Sequence, residues 1–86
     1  MTTTSTYLER IDAARNMARY YRLSVVKTLF GDWAVVREWG RIGRGGQSRE
    51  EWCASIELAL HVHAKRVRAR KRRGYRSAQN AVYGAG

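Results

Sequence analysis

The run Glu38-Trp39-Gly40-Arg41-Ile42-Gly43-Arg44-Gly45-Gly46-Gln47 gathers the residue types in this chain best suited to chemistry, and that chemistry is recognition. Trp39 offers a large, flat, amphipathic ring. Arg41 offers a planar, permanently charged fork, and these two side-chain types contribute most per residue at binding surfaces. Gly40 and Gly43 free the backbone to come close to another surface. With exposed backbone amides, Arg41, Arg44 and Arg49 form a donor set suited to a nucleic-acid phosphate. The same residues also fit a glycine-rich hairpin turn beside a core tryptophan, and residue types alone do not separate the two readings.

Catalytic chemistry finds little support. The glycine pattern from Gly40 to Gly46 lacks the Gly-Lys-Ser/Thr ending of a nucleotide P-loop, and no helix follows it directly, which argues against nucleotide hydrolysis. His61 and His63 stand two apart on a predicted helix, whereas a metal pair wants a spacing of four. His63 reads as a satisfied core histidine. Glu50 and Glu51 read as solvated charges pointing to opposite sides of a strand, and Ser24, Ser48 and Ser55 have no triad partners at recognisable spacing. The single cysteine, Cys53, excludes an internal disulfide and a multi-cysteine zinc site, and reads as a small buried apolar residue. The expectation is a non-enzyme with no cofactor, no metal and no small-molecule substrate.

Charge points to the partner. The 86 residues carry 17 Lys and Arg against 7 Asp and Glu, a net +10. Residues 1–57 hold nine basic and all seven acidic side chains, so residues 58–86 carry a net +8 with no acid among them. Such a one-sided field favours polyanions. Nucleic acid is favoured over membrane, because the basic segment lacks the wide, bulky apolar face of an interfacial helix. Lys65, Arg66, Arg68, Arg70, Lys71, Arg72, Arg73 and Arg76 spread almost around a helix, with Lys71, Arg72 and Arg73 at its end; the bland alternative is a solvated helix end. No apolar run is long enough to span a bilayer, and Met1–Thr6 lacks signal-peptide features, so a cytoplasmic protein is the default expectation.

The length leaves room for one domain. The pattern gives a leader over residues 1–6, expected to be flexible and frayed, and a first strand over Tyr7–Asp12. A connection follows over Ala13–Ala18, with Asp12 placed to cap a helical turn. Arg19–Leu29 reads as a strand rich in aromatic and β-branched residues, with Tyr21, Leu23 and Val25 on one face and Tyr20, Arg22, Ser24 and Val26 on the other. After a turn at Phe30-Gly31-Asp32 comes Trp33–Trp39, whose Trp33, Val35, Arg37 and Trp39 face mixes apolar and basic residues, so periodicity does not decide its burial. Gln47–Trp52 reads as a polar edge strand. Ser55 suits a helix N-cap, Ile56, Ala59, Leu60, His63 and Val67 recur at helical spacing, and Gly74 suits the left-handed residue past the helix end. Tyr75 and Arg76 return to the sheet, and residues 77–86 form a tail expected to be loose. The fold class is α+β: an antiparallel sheet of about four strands, with one helix in the C-terminal half, about Ser55 to Arg73, packed on one face.

Trp39-Gly40-Arg41 followed by Ile42-Gly43 resembles the signature of the WGR domain, a small module found in poly(ADP-ribose) polymerases and as a stand-alone bacterial protein. Arg19-Tyr20-Tyr21-Arg22-Leu23, Trp33–Arg37 and Lys71-Arg72-Arg73-Gly74-Tyr75 resemble further family segments in the same order, so the resemblance covers about residues 7–76. It implies a non-catalytic module that binds nucleic acid, with DNA strand ends or breaks favoured over RNA. By that resemblance Trp39 packs on a sugar at a strand end. Arg41 matches an arginine that contacts neighbouring domains, and in a single domain a phosphate or partner-protein contact takes that role. Trp39, Gly40, Arg41, Arg44, Arg49, Lys71, Arg72 and Arg73 are therefore the candidate nucleic-acid-binding residues. The alternative is an adaptor that docks a partner protein through the Trp39 and Arg41 surface. Tyr20 and Tyr21 are candidates either for stacking or for the core.

Overall fold

Alternating aromatic and β-branched residues against short polar ones produce a long hairpin at the centre of the chain. In the computed structural model, which describes residues 2–77, its arms are Met17–Lys27 (β2) and Trp33–Arg41 (β3). Antiparallel register sets Val25 opposite Val35, Leu23 opposite Arg37 and Tyr21 opposite Trp39. Thr2–Asp12 (β1) pairs with β2 on one side, and Gln47–Cys53 (β4) pairs with β3 on the other. Arg76–Ser77 (β5) adds to the free edge of β1. The result is a five-stranded antiparallel sheet in the order β4-β3-β2-β1-β5. The residues expected as a leader are paired: Thr2 to Thr6 extend β1 ahead of Tyr7, with an irregularity between Thr2 and Thr4. Ser77 lies in β5, and the rest of the expected tail falls outside the described residues.

The helix, Ile56–Arg72 (α1), crosses β2, β3 and β4 on one face of the sheet. The Ser55 hydroxyl accepts the Leu58 amide at 3.1 Å, which caps its start as expected. Gly74 at φ +96 ends it, in a conformation costly for a residue with a side chain. Leu8, Tyr21, Leu23, Val25 and Val35 are almost wholly buried between sheet and helix with Ala59. Burying each large aliphatic side chain contributes roughly 1.5–3 kcal/mol. The buried helical stripe differs from the expected one. Ala59 faces the core with Val62 and Val67 beside it, while Leu60 points outward and is 40% exposed.

Three polar expectations change in detail. Asp12 does not cap the short 3₁₀ turn over Ala13–Arg15; it pairs with Arg15 at 3.6 Å, and Asn16 closes the turn with φ 52. Asparagine tolerates this left-handed geometry better than most residues. Glu51 is not simply solvated, since Arg66 donates to its Oε1 through Nε at 3.1 Å and Nη2 at 2.6 Å. Tyr20 and Tyr21 are both buried, so neither ring is open as a stacking platform.

His63 sits partly buried under the sheet, with Nε2 at 3.1 Å from the Thr6 hydroxyl. Burial pushes its pKa below the ordinary histidine value. The unfolded chain therefore binds the proton more readily than the folded one. Stability is full above the ordinary histidine value, near pH 6.5, and falls as pH drops through that value toward the lowered folded one. Urea midpoints measured at pH 7.5 and pH 5 should fall with acidification, and His63→Gln should flatten that part of the profile.

Candidate nucleic-acid interface

Loop 42–46 must close over the sheet, and it does so through glycine. A Cβ on Gly40 would lie 2.8 Å from the Gly46 Cα, so the two backbones touch where any side chain would separate them. Gly46 in turn packs on the Trp39 carbonyl and the Tyr20 hydroxyl. That contact buries Tyr20 on the sheet face away from α1 and fixes the end of β3.

Register places Trp39 on the opposite face, the one covered by α1. Its ring is partly buried and packs against the core. The remainder of the ring lines a depression of about 510 Å³ at the sheet end, with Arg19, Arg41, Arg70 and Tyr75. No acidic side chain lines it. The Arg41 guanidinium donates through Nη1 to the Asn16 carbonyl at 3.1 Å and through Nη2 to Asn16 Oδ1 at 3.4 Å. Two of its five N–H donors are thus spent on orientation, and three remain for a ligand. Arg37 lies over the Trp39 ring, 5.7 Å from its centroid, and adds cation–π attraction.

The candidate residues do not form one patch. Trp39, Gly40 and Arg41 share the depression just described. Arg73 lines a neighbouring groove between α1 and the sheet. Lys71 and Arg72 are exposed on the last turn of the helix, and Arg49 is exposed on β4, paired in register with Arg37. Arg44 goes elsewhere. It lines a separate depression with Tyr7, Tyr20, Arg22 and Glu38, where Glu38 ion-pairs with Arg22 at 3.2 Å and accepts the Tyr20 hydroxyl at 3.2 Å. Tyr7, stacked near Tyr20, has its phenol pushed up to about 12 by burial and by its hydrogen bond to Glu9, and this side mixes phenols and a carboxylate with Arg22 and Arg44.

Arg19, Arg37 and Arg70 line these surfaces without standing out in the local pattern. Arg70 was one cation among eight in a basic run, and its distinction is spatial: its guanidinium lies 4.2 Å from the Tyr21 ring and 5.5 Å from the Tyr75 ring. Cys53 is buried, and burial raises its thiol pKa, as suits an unreactive core residue. No helix among the described residues is long and apolar enough to cross a membrane.

A model of the WGR domain family matches residues 4–82, which takes in the sheet apart from the first two residues of β1, the helix and the Trp39 depression. The chain belongs to the WGR family. A relative from Sinorhizobium fredii, bearing the name uncharacterized protein y4dW, is 44% identical over 70 residues, covering 81% of this chain and 34% of that protein. The chain therefore spans about a third of the length of this relative. No solved structure matches it. WGR is a non-catalytic module family, known for nucleic-acid binding in poly(ADP-ribose) polymerase-like proteins.

Proposed function

We propose that this WGR domain is a non-catalytic module that binds DNA at strand ends or breaks. The observation that carries the reading is the placement of Trp39 in a depression lined by Arg19, Arg41 and Arg70 with no acid among its walls. The accessible part of the indole packs on a terminal sugar or base. Gly40 keeps the wall low, and Arg41, oriented by Asn16, gives its free N–H groups to phosphate. Arg49, Lys71, Arg72 and Arg73 supply sequence-independent attraction. Arg44, on the other face, acts on a strand that continues around the sheet end.

Fluorescence anisotropy against single-stranded, blunt and nicked DNA tests this reading across a salt series. Binding should weaken with salt on a logarithmic slope of roughly −4 to −5, as expected when about six cations neutralise phosphates. RNA competitors of the same length should displace the DNA poorly. An absence of binding at low salt would discard the reading.

A further inference from the structure

A second cationic surface lies beside the Trp39 depression, in the groove between α1 and the sheet. Arg66, Arg70 and Arg73 stand four and three residues apart, so they share one face of the helix. Arg37 approaches from β3, the buried Tyr21 lines the groove, and Ala69 is too small to fill the space, leaving about 190 Å³. Arg66 is neutralised by Glu51 at 2.6 Å. Arg37, Arg70 and Arg73 have no acidic partner among the described residues.

The Arg70 guanidinium carbon lies 4.2 Å from the Tyr21 centroid and 5.5 Å from that of Tyr75, and that of Arg37 lies 5.7 Å from the Trp39 centroid, so aromatic rings border both groups. The Nε of Arg37 is buried without a hydrogen-bond partner. Burying such a donor unsatisfied costs about 1–3 kcal/mol, and several uncompensated cations in one groove repel each other. A multivalent oxyanion in the groove offsets that repulsion. A phosphate presents several acceptor oxygens to converging planar forks, a geometry that arginine matches better than lysine.

We propose that this groove is a phosphate site, taking a backbone phosphate of the nucleic acid whose end packs on Trp39. Arg70 lines both depressions and joins them. The oxyanion site stands on the arginine geometry alone; its assignment to a backbone phosphate rests on the DNA reading above.

Arginine Nε–H signals in proton–nitrogen spectra test the site directly. Inorganic phosphate, added against chloride at matched ionic strength, should shift the Arg37 and Arg70 signals saturably. Arg73→Gln should weaken that response about tenfold, whereas Arg68→Gln, which removes an exposed charge outside the groove, should not. In the DNA titration Arg73→Gln should reduce the salt slope by about 1 relative to Arg68→Gln. A response to phosphate no greater than to chloride overturns the site. A saturable phosphate response with an unchanged DNA slope overturns the backbone-phosphate assignment while the DNA reading stands. A chain that binds phosphate but no DNA ends the DNA reading and leaves the oxyanion site.

Discussion

Gly46→Ala is expected to destabilise the domain by roughly 2–3 kcal/mol, at the upper end of the usual cost of overpacking. The added Cβ would press into the Trp39 carbonyl, lie 2.5 Å from the Tyr20 hydroxyl, and lie 2.9 Å from the Trp39 carbonyl carbon. Two of those neighbours are backbone atoms of a central strand, which cannot rotate away as the end of a flexible side chain would. The loop must lift, exposing Tyr20 and loosening the end of β3 that positions Trp39 and Arg41. Gly45→Ala is the control, since nothing lies within 4 Å of a Cβ there. It should be neutral, or stabilising by at most about 1 kcal/mol through the lower entropy of the unfolded chain. Chemical denaturation of both variants checks the pair: equal midpoints would show that the loop does not depend on the contact between Gly46 and β3.

That contact also shows where sequence reading stops. The β2–β3 hairpin was legible because Tyr21, Leu23 and Val25 alternate with polar residues, and a turn sits where Gly31 takes φ +90. Ser55 and Gly74 marked the helix ends for chemical reasons independent of packing. The burial of Tyr20 was not legible, since it comes from loop 42–46 folding onto the face of the sheet that the helix leaves open. β1 ran to Thr2 unannounced, because a threonine-rich start has β-branched residues but no apolar alternation to reveal its pairing.

The mixed face of β3 was ambiguous for a different reason. Trp33, Val35, Arg37 and Trp39 all turn toward the helix side, although one of them is a cation. Arginine can lie along apolar and aromatic surface while its charged end reaches a groove. On the helix the same substitution of cations for apolar residues, at Arg66 and Arg70, blurred the stripe and left Leu60 as a misleading member of it. The feature that hid the packing face is thus the one that makes the groove electropositive, because those positions serve the core with their stems and a ligand with their tips.

Trp39→Ala should separate binding from stability. Part of the indole packs against the core, so its removal should cost about 2 kcal/mol, less than the 3–5 kcal/mol typical of a fully buried tryptophan. Stacking on a sugar or base contributes about 1–3 kcal/mol, so DNA affinity should fall about 5- to 150-fold on top of any fraction unfolded. Trp33→Ala is the matched control. Trp33 is also partly buried against the same core, with Lys27 5.9 Å over its ring, but it stands at the other end of β3, about 20 Å away along the strand. The two variants should melt at similar temperatures, and only Trp39→Ala should lose DNA in anisotropy titrations run well below both midpoints. Equal affinities for the two would reduce the signature indole to a core residue, and the arginines around it would then have to account for DNA binding by charge alone.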